Sequence, residues 1–410
     1  MPSESVETVI IGGGQAGLVM SHMLRTRGRP HIVLERSRVA ERWRSERWNG
    51  LRFQFPNWSV RLPDFPFPQS DPDGFAPPEE IVEYLERYAR HIEAPVRSGV
   101  AATAVRRDPQ SGRYTVETAV GQIEAKNVVI ATGPYQKPVI PPCCSEASPF
   151  FQVHASQYKS SSQLPDGGVL VVGSGASGTQ IAEELLREGR RVYISLGRHR
   201  RFPRRYRGKD VIWWLERLGI DRTPVAKHVP GQPLPLITGA YGGHTLDFRH
   251  LAAQGLTLLG HVENIAGTVV KIAPDLTGSL AYGDAAYMGF LDMVDEQVDR
   301  LGLRAPEDPE ARIPHPDPDC VREPLHRLDL TEAGVNAVIW ATGYACEFSW
   351  IDVPVLNERG EPKHREGVTD APGLYFIGLL WLARMNSSFL SGVAEDAERL
   401  AELIAADTSR

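Results

Sequence analysis

The sequence has few cysteines, and their spacing excludes a common type of redox centre. Only four of 410 residues are cysteine, and they form neither a CxxC nor a CxxxxC pair (Cys143, Cys144, Cys320 and Cys346). Such a sparse set provides no disulfide framework and favours a reducing compartment. Without a dithiol, we do not expect electrons to leave the protein through sulfur.

The sequence also lacks long apolar runs, excess positive charge and the familiar hydrolase motifs. No run approaches the roughly 18–20 apolar residues of a membrane span, and no signal peptide is recognisable. The net charge of −6 argues against a general nucleic-acid or anionic-membrane binder. Neither G-x-S-x-G nor H-E-x-x-H occurs, so we expect no protein nucleophile and no metal site. We therefore expect a cytoplasmic protein with substantial apolar cores.

A glycine-rich stretch near the start predicts a dinucleotide site. The apolar run Val9–Ile11 enters a G-x-G-x-x-G pattern, and a helical pattern follows from Leu18 to about Arg27. A strand, turn and helix of this kind present backbone N–H groups to a pyrophosphate. Glu35 lies 21 residues past Gly14, where a carboxylate can bind a ribose 2′-OH. An empty βαβ unit is the alternative. The candidate binding residues are Gly12, Gly14, Gln15, Ala16, Gly17, Glu35 and Arg36.

The same glycine pattern occurs a second time, but without an acidic residue after its second strand. The apolar run Val169–Val172 precedes the second G-x-G-x-x-G, but the position 23 residues past its first glycine is Leu196 rather than an acid. The basic run Arg198–Arg201 follows, and arginine accommodates a 2′-phosphate. The first copy thus predicts an FAD or NAD site and the second an NADP site, although the basic run could be a solvated loop. The candidates are Gly173, Gly175, Ser177, Gly178 and, first among the basic residues, Arg198.

Residues 36–80, which lie between Glu35 and the helix predicted at 81–91, are rich in aromatic residues and proline. Four prolines between residues 56 and 68 exclude a regular helix or central strand there. We interpret the segment as a wall or lid of the site, with inter-domain core as the alternative. Other predicted elements are helices at 81–91, 211–218, 290–301 and 392–405, strands at 101–107, 114–118 and 335–340, and a connector at 134–168.

Repeated strand ends give the chain a recognisable resemblance. Ala131-Thr132-Gly133 and Ala341-Thr342-Gly343 both end apolar strands, and a late Gly-Leu-Tyr-x-x-Gly ends at Gly378. Together these features resemble the two-dinucleotide-binding-domain flavoproteins. The resemblance implies an α/β fold with two Rossmann-like domains, in which an FAD domain (1–160) is interrupted by an NADPH domain (161–345) and completed by a return segment (346–410). It adds as candidate cofactor residues Thr132, Gly133, Thr342, Gly343, Gly378 and Gly392.

A finer resemblance is to the flavin-containing monooxygenases, including the plant YUCCA-type members and bacterial relatives. It rests on the spacing from Trp43 to Leu51, the loop 63–68, the stretch 154–158 and the stretch 340–344. The family's identifying FxGxxxHxxxY stretch is shortened here, and its internal glycine is missing. The resemblance implies that Trp43 packs on the flavin and that Gln54 or Asn57 faces it as a catalytic amide. For each amide, pairing with a loop backbone is the alternative.

The resemblance also implies a reaction. NADPH would reduce FAD, O2 would form a C4a-(hydro)peroxyflavin, and a small organic substrate would be oxygenated at nitrogen or sulfur, or at a carbonyl by Baeyer–Villiger insertion. Two rival functions share the nucleotide sites: a flavin reductase that passes electrons to a carrier or quinone, and a non-catalytic redox sensor. Candidate substrate residues are Phe53, Trp58, Arg384 and Asn386, the last two being equally compatible with NADP+ or with the surface. A homodimer is a further expectation, with three tryptophans that could cap its interface (Trp213, Trp214 and Trp381).

Overall fold

A computed structural model describes residues 4–68, 70–142 and 149–407 of the chain. Cys143 and Cys144 lie outside the described residues. The helices are α1 (Gln15–Thr26), α2 (Glu41–Ser45), α3 (Pro78–His91), α4 (Ala176–Arg187), α5 (Val211–Leu218), α6 (Phe248–Ala253), α7 (Leu276–Leu301), α8 (Asp319–Arg322) and α9 (Val393–Ala406).

The strands of the first half are β1 (Glu4–Ile11), β2 (His31–Glu35), β3 (Arg61–Leu62), β4 (Phe65–Pro66), β5 (Val96–Ser98), β6 (Ala102–Arg107), β7 (Tyr114–Thr118), β8 (Gly121–Ile130), β9 (Lys137–Pro138), β10 (Phe151–His154), β11 (Gly168–Val172) and β12 (Val192–Ser195). Those that follow are β13 (Arg200–Arg201), β14 (Arg205–Tyr206), β15 (Lys209–Asp210), β16 (Pro235–Leu236), β17 (Thr257–Leu259), β18 (Val262–Ala266), β19 (Val269–Ile272), β20 (Arg327–Asp329), β21 (Val335–Trp340), β22 (Tyr344–Ala345), β23 (Ile351–Asp352) and β24 (Leu374–Phe376).

The first sheet is built from both ends of the chain. Its order is β23-β6-β7-β8-β1-β2-β5, and β24 pairs in parallel with the last residues of β8. Alternate residues of β1 point to opposite faces, so Ile10 packs with α1, α3 and α9 while Val9 packs in a second core. The segment after residue 346 therefore adds two strands to the first sheet.

The second sheet, β10-β21-β11-β12-β17, is parallel throughout. Its central strands β11 and β21 are almost entirely buried and apolar, as expected for a parallel sheet covered on both faces. Strand β10 belongs to this sheet although it begins at Phe151, ten residues before the boundary expected at 160/161. Its pattern is too short and too polar to have been assigned to a sheet from sequence.

Two short strands join the two sheets. Each follows one of the Ala-Thr-Gly ends, and they pair antiparallel, with Tyr344 opposite Pro138. His154 lies against this pair: its Nε2 is 3.1 Å from the carbonyl oxygen of Gly343, and its Nδ1 is 2.9 Å from Ser156 Oγ. Both crossings of the chain between the sheets are thus held together at one place.

Helix α7 is much longer than expected. The prediction began at Phe290, but the helix runs from Leu276, because residues 276–289 contain three glycines that lower helix propensity and hide the pattern. Tertiary packing stabilises this glycine-rich part of the helix, since one face of α7 joins a core formed with α5. Trp214 lies in that core and is fully buried, so the expectation that it caps an interface is wrong. Within residues 4–68, 70–142 and 149–407, no helix is long and apolar enough to cross a membrane.

Candidate functional site

The first glycine turn is packed so closely that only glycine fits at two of its positions. Gly12 has a φ of +119°, and a Cβ there would lie 2.5 Å from the carbonyl oxygen of Ala131. A Cβ at Gly17 would lie 1.9 Å from the carbonyl oxygen of Gly12. At Gly14, in contrast, a Cβ would meet no atom within 4 Å. The turn therefore packs tightly against the protein at Gly12 and Gly17, and it leaves open space at Gly14, at the start of α1, where a pyrophosphate would lie.

The helices that follow the two glycine turns begin without the usual protein partners. Neither α1 nor α4 has a side-chain cap or an acidic residue in its first turn, whereas α3 and α9 each carry two acids there. The first N–H groups of a helix have no acceptor within the helix. An anion is the natural partner for such a terminus, because the dipole and the N–H groups both favour negative charge.

Glu35 lies beside the first turn, as the spacing predicts. Its carboxylate is 9% exposed; Oε2 accepts a hydrogen bond of 2.7 Å from the N–H of Gly13, and Oε1 accepts one of 2.9 Å from Ser37. Gln15 has a protein partner instead, since its Nε2 donates to the carbonyl oxygen of Ser388 at 2.6 Å. Arg36 extends to the surface.

The return segment reaches the same turn. A Cβ at Gly378, whose φ is +75°, would lie 2.5 Å from the Cβ of Ala16. The two backbones therefore approach each other at a distance that a larger residue would prevent. Thr132 and Gly133 lie at the mouth of the first unit, where both accept a 2.8 Å hydrogen bond from Nε2 of Gln136.

The second turn repeats the geometry of the first. Gly173 has a φ of +114°, and a Cβ there would lie 2.4 Å from the carbonyl oxygen of Ala341; a Cβ at Gly178 would lie 2.0 Å from the carbonyl oxygen of Gly173. Gly175 is as open as its counterpart in the first turn. Ser177 is exposed in the first turn of α4. The phosphate-binding shape is thus present twice.

The strand after the second turn ends without a carboxylate. Leu196, at the position matching Glu35, is fully buried, and the basic run begins two residues later. Arg201 is buried and pairs with Asp247 and Asp284, while Arg200 lies with its guanidinium 5.0 Å over the ring of Phe202.

Arg198 differs from its basic neighbours. It is exposed and forms no hydrogen bond or ion pair with any residue that the structure describes. Arg200 also forms no hydrogen bond or ion pair with the described residues, but its guanidinium lies over the ring of Phe202 and is less exposed, so Arg198 is the more accessible of the two for an added phosphate. The sequence ranked it first for the same role on spacing alone.

A row of aromatic rings leads from α2 to the return segment. Trp43 packs against the cores of both sheets, and its ring centre is 5.5 Å from that of Phe53. The row continues to Phe55 at 5.3 Å and from there to Phe389 at 5.1 Å. Trp58 packs elsewhere, in the core with α5 and α7. Trp43 and Trp58 therefore contribute to inter-domain core, and the role of the segment as a wall or lid stays a prediction.

The structure separates the two candidate amides. Asn57 is 7% exposed, and its Nδ2 donates to the backbone carbonyl of Asp71 at 2.9 Å, which is the loop-pairing alternative. The side chain of Gln54 is half-buried and forms no hydrogen bond with the described residues. Its backbone carbonyl accepts a 2.7 Å hydrogen bond from the buried Arg204, a contact that sequence reasoning missed. The Nδ2 of Asn57 is thus engaged with its loop while its Oδ1 is buried without a partner, and the whole side-chain amide of Gln54 is without a partner among the described residues.

Arg384 and Asn386 are held by protein groups. Arg384 forms ion pairs with Glu395 at 3.1 Å and Asp396 at 3.0 Å, both in the first turn of α9. Asn386 is 4% exposed and donates to Asp221 at 3.3 Å. Burial raises the pKa of the Asp396 carboxyl. Arg384 is thus paired twice with the start of α9, and its role toward a substrate carboxylate or NADP+ stays a prediction.

That start is closely packed. A Cβ at Gly392, the residue before α9, would lie 2.1 Å from the carbonyl oxygen of Asn386. The loop that carries Ser388 and Phe389 is therefore fixed between the first glycine turn and α9. At the second strand end, the hydroxyl of Thr342 donates to the carbonyl oxygen of Val139, so Thr342 stabilises the paired connectors.

The comparisons with known proteins agree with this geometry. Residues 9–217 match the family model described as pyridine nucleotide-disulphide oxidoreductase. An uncharacterised oxidoreductase, CzcO-like, from Geobacillus kaustophilus is 33% identical over 400 residues, covering 96% of this chain and 97% of that protein. The indole-3-pyruvate monooxygenase YUCCA1 of rice is also 33% identical, over 398 residues, with 93% and 88% of the two chains covered. The chain belongs to the flavin-containing monooxygenase family.

Solved structures show the same fold at lower identity. A flavin-containing monooxygenase from Stenotrophomonas maltophilia superposes with a TM-score of 0.69 at 19% identity, covering 99% of this chain and all of that one. A structure described as the OTEMO complex with FAD and NADP gives a TM-score of 0.54 at 16% identity, covering 98% of this chain and 85% of that one. Both confirm the predicted α/β architecture of two dinucleotide-binding units. Of the two free cysteines among the described residues, Cys320 lies in α8 and Cys346 directly follows β22.

Proposed function

We propose that the chain is an FAD-dependent monooxygenase that consumes NADPH and transfers one oxygen atom of O2 to a small organic substrate. The observation that carries this proposal is the pair of glycine turns. They share one geometry, yet the first has a buried carboxylate at its ribose end and the second has the available Arg198. An FAD ribose suits the first and a 2′-phosphate suits the second.

The residues present fit both cofactors. Gly14 and Gly175 leave open space before two uncapped helices, which is what a pyrophosphate needs. In the first unit, Glu35 receives the ribose hydroxyl groups of FAD, and Gly378 allows the return segment to approach. In the second, Arg198 receives the 2′-phosphate of NADPH. When bound, the two cofactors supply hydride transfer and the reduction of O2.

The chain itself binds, orients and excludes water. Gln54 has the free amide that can donate to an oxygen atom at the flavin, whereas Asn57 holds its loop. The aromatic row from Trp43 to Phe389 covers the same region with apolar surface, which keeps water from the reacting groups. The ends of this row come from α2 and from the loop before α9, so closure depends on both parts of the first unit.

The aromatic wall favours an apolar substrate with a soft nucleophilic atom or a carbonyl. The rice relative is named for indole-3-pyruvate, a 2-oxo acid. In this chain the arginine nearest the start of α9 is already paired with Glu395 and Asp396. We therefore propose substrates without a carboxylate, namely sulfides, tertiary amines and ketones, as the first to test, with indole-3-pyruvate as the comparison.

Oxygen labelling tests the proposal directly. The FAD-loaded protein is mixed with NADPH and 18O2 and supplied with each substrate class, and the product is analysed by mass spectrometry. We expect one labelled oxygen atom in each product molecule. Rapid NADPH oxidation with reduction of a quinone and no label would establish the reductase instead. Absence of NADPH oxidation with every acceptor would indicate a redox sensor.

A further inference from the structure

The segment after β12 places one exposed arginine, Arg198, before two buried side chains, His199 and Arg201. His199 is 3% exposed and Arg201 is 9% exposed, whereas Arg198 between Gly197 and His199 faces solvent. Arg201 is fixed by ion pairs to Asp247 and Asp284. The backbone that carries Arg198 is therefore held on its C-terminal side by two buried side chains.

His199 occupies a notch in helix α7. Its Nε2 faces Gly283, where a Cβ would come within 2.5 Å of that nitrogen, so no larger residue fits while the ring stays in place. The ring meets Phe248 edge-on with a centroid distance of 4.7 Å. Burial lowers the pKa of His199, which keeps the imidazole neutral. Since its Nδ1 is 3.1 Å from the carbonyl oxygen of Gly197, Nδ1 carries the proton.

The glycine turn holds the other side of the same segment. Ser174 stands where the first unit has Gly13, and its Oγ accepts a 3.0 Å hydrogen bond from the N–H of Gly197 and donates to the carbonyl oxygen of Gly197 at 3.2 Å. That carbonyl accepts from both Ser174 and His199. A single residue therefore joins the phosphate-binding turn to the anchored histidine.

We propose that Ser174 and His199, the latter seated against Gly283, are positioning residues that set the distance from the pyrophosphate turn to Arg198. They thereby determine the preference for a 2′-phosphorylated nucleotide. A charge-assisted contact depends strongly on distance and angle, so loosening this segment weakens the 2′-phosphate contact and spares the rest of the nucleotide. The inference rests on the proposed function, in which Arg198 receives that phosphate.

The test displaces His199 from a distance and uses a matched control on the same helix. Gly283→Ala forces the ring to move, whereas a Cβ at Gly289 would meet nothing within 4 Å, so Gly289→Ala makes the same chemical change without a clash. Dissociation constants of adenosine 2′,5′-bisphosphate and of 5′-AMP are measured by calorimetry on the FAD-loaded proteins. We expect Gly283→Ala to reduce the preference for the bisphosphate at least about tenfold while 5′-AMP affinity stays unchanged. Gly289→Ala is expected to keep the wild-type preference.

A second variant protects the test against misfolding. Ser174→Ala removes the hydroxyl that bridges to Gly197 and leaves the helix intact, and it carries the same expectation in the same direction. It decides the question if Gly283→Ala fails to retain FAD. A merely structural role would lower the affinity of both ligands together, so the ratio of the two constants is the informative quantity.

Comparison with Arg198→Ala distinguishes failure of the proposed NADPH site from failure of the positioning role. If wild-type protein shows no preference for the bisphosphate, the proposed NADPH site fails, and this inference fails with it. If wild type shows the preference and Arg198→Ala removes it, while Ser174→Ala and Gly283→Ala both keep it, the positioning role is overturned and the proposed function stands.

Discussion

The two glycine turns have the same backbone shape and differ in the groups that lie beside them. At the phosphate end they match within 6° in φ, +119° at Gly12 and +114° at Gly173, and each seals against the carbonyl of the alanine that ends a neighbouring strand. At the ribose end, the N–H of Gly13 binds the Glu35 carboxylate, whereas Ser174 binds the backbone of Gly197. In the proposed function, phosphate binding depends on backbone shape, and nucleotide choice depends on Glu35 at the end of β2 and on Arg198 after β12.

The largest effect should come from closing one turn at a time. Gly12→Ala meets a carbonyl at 2.5 Å and a positive φ that alone costs about 1–3 kcal/mol, so we expect the purified protein to contain no FAD. Gly173→Ala should keep FAD and lose its reduction by NADPH. The flavin absorbance and its bleaching on NADPH addition measure both. If the two variants lost FAD equally, the assignment of one cofactor to each turn would be wrong.

Glu35→Ala should give the next largest effect. It removes the charged acceptor for the ribose hydroxyl groups and the partner of the Gly13 N–H, a loss of about 1.5–3 kcal/mol or roughly ten- to hundredfold in FAD affinity. Titration of the apoprotein with FAD measures this change. The preference for NADPH over NADH should stay at the wild-type value, and a change in it would couple two sites that we treat as separate.

Arg198→Ala should have the opposite effect to Glu35→Ala: the preference for NADPH over NADH should change and FAD affinity should not. Loss of a charge-assisted phosphate contact should weaken NADPH by about 1.5–3 kcal/mol, roughly ten- to hundredfold, and leave NADH almost unaffected. Single-turnover reduction of the flavin at varied nucleotide concentration gives both affinities. Arg200→Ala is the matched control because that guanidinium lies over Phe202. Equal weakening of NADPH and NADH would mean that another basic residue binds the 2′-phosphate.

The smallest effect concerns the junction between the two units. Burial lowers the pKa of His154 below its ordinary 6.5, so the unfolded chain takes up this proton first as the pH falls. The contribution of His154 to stability is therefore present above pH 6.5 and is lost as the pH falls below it. His154→Gln should make the decline of the unfolding temperature between pH 7 and 5 shallower, by at most about a few degrees. Parallel curves for the two proteins would contradict this assignment.

The sequence identified the features that depend on neighbours along the chain. Both glycine turns, helix α5 and strand β21 lie where the pattern predicted them, because strand, turn and helix signals are local. Glu35 is placed by the fixed length of a βαβ unit, and the structure puts it beside the turn. For the same reason the aromatic segment could be recognised as irregular, but the partner of each ring could not.

Other features depend on contacts between distant residues. The start of α7 was hidden by glycines, one of which, Gly283, is needed because His199 packs against it. Arg384 looked available in the sequence, yet the first turn of α9 supplies two carboxylates that bind it. Trp214 differs from its expected role for the same reason, since it is buried by segments far away in the chain. Such contacts leave no mark in a local pattern.

The antiparallel contact between β9 and β22 has a consequence for the exchange of the second unit. An inserted domain is tolerated most easily when its two ends lie close together, because the host then keeps its own shape. Here the entry and exit of the second unit are hydrogen-bonded neighbours, with Pro138 opposite Tyr344. We therefore expect that a graft replacing everything between these two strands would leave the first sheet in its own shape.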